Sequence, residues 1–257
     1  MIEFKDSSLL GGKARQVVLK ILEYASVSTP GVLRPILRPV YEEVTKLSLV
    51  RRLIWGSTSL DRCHRYWTNP IDAGNKPIEY LNIGMANSVF MLGFVKKHVG
   101  DDARILEIGC NAGRNLFVLH EAGFKNLTGI EINPEAVLLM REKFPDMVKE
   151  ITIHNDTVEN TIGGIPDNSF DIVFTMAVLE HIHEDSSWIF GEIARVTSNL
   201  VLTIEDEVAV SWRTFARNYK SVFEKVGLKQ IDFNDCVTLP EWYGSYKLRV
   251  FVKCAQR

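Results

Sequence analysis

Four stretches of the chain carry side chains suited to gripping a polar ligand and moving a proton. The first is Arg104 to Asn115, RILEIGCNAGRN. A short apolar run carries an acidic residue, Glu107, breaks at Gly109, turns through Cys110, Asn111 and Ala112, and resumes after Gly113 as a helical pattern. A glycine loop lets a ligand approach bare backbone, and the helix that follows offers unpaired N–H groups. The second is Glu131, 18 residues past Gly113, near the roughly 20 expected of an acidic residue that holds ribose hydroxyls. The third is Asn155-Asp156-Thr157. The fourth is the end of FDIVFTMAVLEHIH, where Glu180, His181 and His183 follow an apolar run. A carboxylate can accept from both hydroxyls of a ribose, and an imidazole with pKa near ~6.5 can accept a proton at neutral pH. Each residue also has a bland reading: a solvated strand end for Glu131, a helix N-cap for Asp156, a structural histidine for His181.

The elements around these residues place them together. From Arg104 onward, strand candidates at 104–108, 127–131, 150–154, 170–176, 199–205, 228–233 and 246–254 alternate with helix candidates at 114–122, 134–144, 185–196 and 211–226. Such alternation predicts an α/β fold, a mostly parallel seven-stranded sheet with helices on both faces. No helical pattern separates the last two strands, so the final strand is expected to be antiparallel. In an open parallel sheet ligands bind beyond the carboxyl ends of the strands, near the point where strand order reverses. All four stretches fall at such ends.

A helix over about 85–98 leads into the first strand. Before it, residues 1–84 read as a helical N-terminal extension, with 85–257 as the main domain. Ala14, Val17, Val18, Ile21, Leu22 and Ala25 share one helical face, and a second helix is expected from about Pro39 to Gly56. Leu60 to Leu81 is rich in Asn, Pro and Gly and is expected to be mostly loop. It gathers His64, Tyr66 and Trp67, which either contact substrate as a lid or anchor the extension.

Composition bounds the rest. The 257 residues are 46% hydrophobic and 24% charged, with a net charge of −2, which gives no general field for nucleic acid. Cys63, Cys110, Cys236 and Cys254 are scattered without a C-x-x-C pair, which points away from a metal site and a disulfide framework and toward a reducing compartment. No signal-peptide pattern opens the chain, and the longest apolar run is far short of the roughly 20 residues a membrane span needs. A cytoplasmic location is expected. Residues 1–60 hold nine Lys/Arg against five Asp/Glu, so peripheral membrane contact stays open, as does the oligomeric state.

Taken together, ILEIGCNAGRN, GIEINPEAV, HNDTVEN and IPDNSFDIVFTMAVLEHI resemble, in order, the motifs of the class I S-adenosylmethionine-dependent methyltransferases. The resemblance covers about residues 85–257 and is similar to small-molecule members, including quinone-pathway and surface-polysaccharide-associated enzymes. It implies a Rossmann-like fold, S-adenosyl-L-methionine as cofactor and S-adenosyl-L-homocysteine as product. It implies a cofactor site of Glu107, Gly109, Cys110, Asn111, Gly113, Asn115, Glu131, Ile132, Asp156, Thr157 and Met176. Glu131 would hold the ribose, Asp156 and Thr157 the adenine, and the wall near Phe174 to Val178 the methionine end. One departure is Asn111, which stands where the middle glycine usually does; Asn tolerates left-handed backbone better than most residues.

The resemblance further implies His181 as the base for an acceptor hydroxyl, with Glu180 and His183 as runners-up. Candidate substrate contacts are His64, Tyr66 and Trp67, together with Trp242 and Tyr243 between the last two strands. The acceptor expected is a small polar molecule, with a sugar-like oxygen first; a lipid, quinone or protein acceptor, or a non-catalytic cofactor-binding subunit, is the alternative. A nicotinamide-dependent oxidoreductase fits less well, because the glycines are spaced Gly109-x-x-x-Gly113 rather than G-x-G-x-x-G.

Overall fold

The computed structural model describes residues 58–72, 74–237 and 245–254. The expected helices at 14–25 and 39–56, and the candidates Trp242 and Tyr243, lie outside the described residues.

Among the described residues, seven strands form one sheet. They are β1 (Ile105–Ile108), β2 (Leu127–Ile130), β3 (Thr152–His154), β4 (Phe170–Met176), β5 (Thr197–Asp206), β6 (Leu228–Asn234) and β7 (Tyr246–Lys253). Their spatial order is β3-β2-β1-β4-β5-β7-β6. The pairs β1–β2, β1–β4, β2–β3 and β4–β5 are parallel. Strand β7 runs antiparallel to both β5 and β6, as the missing crossover helix predicts. Strand order reverses between β1 and β4, so the glycine loop after β1 and the Leu-Glu-His turn after β4 face one crevice.

Alternation along each strand divides the core into two layers. Ile105 of β1 and Ile172 and Phe174 of β4 pack on one face with Met91, Val95, Leu116, Leu119 and Met140. Leu106, Ile108 and Val173 pack on the other with Ile189, Phe190, Ile193, Tyr219 and Phe223. The helices on the first face are α3 (Ala86–His98), α4 (Arg114–Glu121) and α5 (Pro134–Lys143). Short α6 (Pro145–Glu150) and α7 (Val158–Thr161) flank β3. Helices α8 (Ile189–Val196) and α9 (Tyr219–Lys225) cover the second face.

Three segments differ from expectation, and each has a local cause. Residues 60–81 are largely helical: α1 (Leu60–Thr68) starts at Ser59, whose hydroxyl accepts from Arg62 N, and α2 (Pro77–Asn82) starts on a proline. The Asn, Pro and Gly residues cluster in the connection between them. The helix expected over 211–226 begins only at Tyr219, capped by Asn218, whose side chain accepts from Ser221 N. Residues before it are drawn to the β4 turn instead: Phe215 N donates to Glu180 O at 2.6 Å, and Arg217 donates to the carbonyls of Leu179 and Ile182. The helix expected over 185–196 is a short 3₁₀ turn, Glu184–Ser186, followed by α8.

Candidate active site

A cavity of about 460 Å³ opens over the carboxyl ends of β1, β2 and β4. Three loops build its floor, and α1 and α2 supply the wall above.

The loop after β1 carries the glycines. Asn111 has φ +47, and its own side-chain oxygen accepts from Ala112 N at 2.7 Å, the local bond that makes Asn tolerable in left-handed backbone. Gly109 has φ +72, and a Cβ there would lie 2.4 Å from Val178 Cγ2. Gly113, at φ +79, caps α4 rather than lining the cavity. Below the loop, Glu107 is buried and its Oε1 accepts from Asn115 Nδ2 at 2.7 Å; Asn115 Oδ1 in turn accepts from Ser88 on α3. Oε2 of Glu107 is buried with no hydrogen-bond partner among the described residues. Burial pushes this carboxyl up to about 8, against the opposing pull of Asn115 and Arg114.

Glu131, just past β2, is held from two sides. Its Oε2 accepts from Asn111 N and its Oε1 from Asn133 N, both at 2.7 Å. Burial raises its carboxyl to about 6, while those backbone N–H groups and that of Ile132 favour the anion. Ile132 lines the cavity beside it, as do Cys110, Asp156 and Thr157. Thr157, not Asp156, is the N-cap of α7, its hydroxyl accepting from Asn160 N. Asp156 is exposed at the rim and accepts from Asn160 Nδ2.

The turn after β4 carries Glu180, His181 and His183, all lining the cavity. His181 Nδ1 lies 3.0 Å from the carbonyl oxygen of Arg213, and its ring sits 4.3 Å from that of Trp67. A carbonyl only accepts, so Nδ1 carries the hydrogen and Nε2 the lone pair. Burial pushes the imidazole down to about 4, so it is neutral at pH 7. Its side chain keeps 20% exposure, enough for a ligand to reach it. Glu180 is buried, accepting from Asp206 N at 2.5 Å and Tyr246 OH at 3.1 Å. Burial and the neighbouring Glu205 raise its carboxyl well above the usual range. His183 is a capping histidine: its Nδ1 accepts from Asp185 N in the turn that follows, and its ring packs edge-on against Phe215. Of the wall expected near 174–178, Met176, Ala177 and Val178 reach the cavity, while Phe174 is core.

Among the lid candidates, His64 and Trp67 line the cavity, and His64 Nε2 lies 3.1 Å from Glu159 Oε1 on α7. Tyr66 is not among the lining residues. It packs edge-on against Trp67 and Trp212 beneath the Arg213 guanidinium, and its hydroxyl donates to Asp72. Tyr80, Asn87, Arg114 and Tyr246 line the cavity without having been singled out in the sequence. Burial raises Tyr80 to about 12, so its phenol is neutral and can donate. Arg114, directly after the glycine loop, donates to the carbonyls of Tyr80 and Gly84 and ties α2 to that loop. Its place in the motif was the available signal.

Comparison with known proteins bears on the fold. Residues 106–200 match the family described as a methyltransferase domain. No curated protein matches the chain in sequence. Among solved structures, a geranyl diphosphate C-methyltransferase from Streptomyces coelicolor A3(2), in complex with Mg2+, geranyl diphosphate and S-adenosyl-L-homocysteine, is similar at TM-score 0.58 and 12% identity, over 76% of this chain and 98% of that one. A magnesium protoporphyrin IX methyltransferase from Synechocystis PCC 6803 with bound S-adenosylmethionine is similar at 0.55 and 13%, over 82% and 97%. A structure from Mesorhizobium loti described as an S-adenosylmethionine-dependent methyltransferase is similar at 0.51 and 13%, over 63% and 96%.

Proposed function

We propose that this chain is a class I S-adenosylmethionine-dependent methyltransferase, a reading supported by the match of residues 106–200 to a methyltransferase domain, and that it methylates an oxygen of a small polar acceptor, a sugar or related metabolite, with His181 as the base. The observation that carries the reading is His181 itself: a neutral imidazole with Nδ1 committed to the Arg213 carbonyl, lining the same cavity as the glycine loop and Glu131.

The residues present fit the cofactor. Among the described residues, Glu107 leaves one buried oxygen without a partner, a complement to the amino group of a methionine moiety. Each oxygen of Glu131 accepts one backbone N–H and keeps capacity for a ribose hydroxyl. Asp156 and Thr157 lie at the adenine end on this reading, and Met176 to Val178 at the methionine end. When bound, S-adenosylmethionine supplies a methyl group made electrophilic by its sulfonium.

The protein's own task is orientation and proton removal. An acceptor hydroxyl donating to His181 Nε2 has its proton drawn away as its oxygen gains a bond to carbon. The Arg213 carbonyl stabilises the imidazolium that results. Trp67 packs at a tilt against the imidazole and limits its rotation, and α1 and α2 cover it from above. A neutral Tyr80 and Tyr246 add hydroxyl groups to a wall that is otherwise rich in Leu60, Trp67, Pro70, Leu81 and Ile83.

That wall, with exposed Ile78, Ile83 and Met85 beside it, favours a second reading, a lipid or quinone acceptor. The two are tested together. Methyl-labelled S-adenosylmethionine is incubated with the protein and either the water-soluble or the lipid fraction of a cell extract, with His181→Ala as control. Label in a water-soluble product, absent with the variant, supports the sugar-type acceptor; label in the lipid fraction supports the second reading.

A further inference from the structure

The turn that presents His181 does not hold its shape by its own sequence. Directly after strand β4 comes Ala177, a residue with a side chain at φ +56, a left-handed backbone that L-residues adopt only when surroundings impose it. Ala177 N still donates to Ile204 O on β5 at 2.8 Å. The chain then turns sharply, and its next N–H groups point toward β5, not along the ladder. What receives them is one atom: Oε2 of Glu205 accepts from Val178 N at 2.9 Å and from Glu180 N at 3.4 Å. Glu205 is fully buried at the end of β5.

From this geometry we infer that Glu205 is a positioning residue, whose buried carboxyl oxygen shapes the Ala177–His181 turn and so sets both the Val178 contact on the glycine loop and the placement of His181. Two consequences converge on the site. Val178 is pressed against Gly109, where even a Cβ would approach to 2.4 Å, so a shift of Val178 moves the loop's supporting wall. His181 is three residues along, and its N–H closes the 3₁₀ turn on Val178 O at 2.9 Å. Glu180, between them, is fixed at its other end by Asp206 N and Tyr246 OH. Removing the Glu205 acceptor takes this partner from the N–H groups of Val178 and Glu180, and the turn must rearrange to find others.

Both bonds fall on one oxygen, so a glutamine can supply the acceptor without the charge. The inference rests on the proposed role of His181 for its effect on turnover, but not for its effect on the turn. The test therefore uses three readouts on the full chain: amide hydrogen exchange at Val178 and Glu180, the imidazole nitrogen shifts of His181, and S-adenosyl-L-homocysteine affinity beside label transfer. Glu205→Gln is expected to keep amide protection and label transfer within about threefold of the parent, and to keep the Nδ1–H tautomer signature. Glu205→Leu is expected to exchange at those amides at least about tenfold faster and lose the signature. It is also expected to lower label transfer about 100-fold, with S-adenosyl-L-homocysteine affinity falling less than about tenfold. A folded Glu205→Leu protein with protected amides overturns the inference. So does a Glu205→Gln protein as impaired as Glu205→Leu, since charge rather than the acceptor would then matter. If Glu205→Leu does not fold, Glu205→Gln decides alone, and lost protection at Val178 and Glu180 overturns it. Unaltered label transfer in His181→Ala would remove the base but leave the exchange result standing.

Discussion

Nδ1 of His181 lies 3.0 Å from the main-chain oxygen of Arg213, so a residue outside the cavity lining sets the proton position of a ring that lines it. The base is therefore available without a preceding tautomer shift. Burial holds its pKa down to about 4, so the neutral form persists well below the usual histidine range. A base must be unprotonated, so methyl transfer is expected to rise with pH through about 4 and to show no histidine step near ~6.5. His181→Ala should lower turnover by about 10²–10⁴-fold with S-adenosyl-L-homocysteine affinity nearly unchanged. A pH–rate profile with its acid limb near ~6.5 would remove His181 as the base.

The alternation of apolar runs and helical patterns made the sheet legible in advance, because Ile105, Leu106 and their counterparts in β4 record two buried faces in their order. The antiparallel β7 was legible from the missing helix before it. The floor of the site was legible for the same reason: Gly109, Asn111, Glu131 and His181 sit at strand ends, and strand ends converge in a parallel sheet. The roof was not. The helix α1 is held by long-range contacts, including Arg62 over Trp212 and Tyr66 against the same ring, and no local spacing encodes a pairing across some 150 residues. The segment 211–218 was misread because Phe215 and Arg217 bond to the β4 turn, a tertiary pull that overrides helical periodicity. His183 and His181 take different partners: one Nδ1 accepts from a backbone N–H, the other donates to a carbonyl.

Glu131 draws the glycine loop and its own loop onto one carboxylate. Removing it takes away the side-chain acceptors of two backbone N–H groups as well as the proposed ribose partner. Glu131→Ala is expected to weaken S-adenosyl-L-homocysteine binding by about 1.5–3 kcal/mol, the scale of hydrogen bonds to a charged group. Glu131→Gln should recover part of that, since its amide oxygen can accept from Asn111 N. Calorimetric titration measures both, and parental affinity in the alanine variant would exclude Glu131 from the site.

Glu107 offers a test by proton counting. With its carboxyl pushed up to about 8, the folded protein holds a proton there at pH 7. An amino cation placed beside Oε2 favours the carboxylate, so binding should release up to about one proton. Titration with S-adenosyl-L-homocysteine at pH 7 in buffers of different ionisation enthalpy should show this release, and Glu107→Gln should abolish it. The same shift acts on stability. A carboxyl raised from 4.5 to about 8 on folding contributes stability below pH 4.5 that is lost as pH rises through about 8. The slope approaches about 1.4 kcal/mol per pH unit where the folded state holds one extra proton. Thermal unfolding of the ligand-free protein should therefore shift to lower temperature between about pH 5 and about pH 8, the window between the unfolded and folded values of that carboxyl, less so for Glu107→Gln. An unchanged slope in the variant would assign the dependence to another group.

Gly109 combines two demands that a double substitution can separate. Its φ of +72 disfavours any side chain, and its Cβ position is filled by Val178, at 2.4 Å from Cγ2 and 2.9 Å from Cγ1. Neither demand alone needs the other: a left-handed residue can have open space around it, as at Gly123 and Gly227. Gly109→Ala should destabilise the fold by about 2–4 kcal/mol, strain and overpacking together. Adding Val178→Ala removes the clash but not the backbone cost, so the double variant should recover about 1–2 kcal/mol relative to additivity. Denaturant unfolding of the four proteins in this cycle gives the coupling. Simple additivity would mean that Val178 yields freely, and that the glycine is required for its backbone conformation alone.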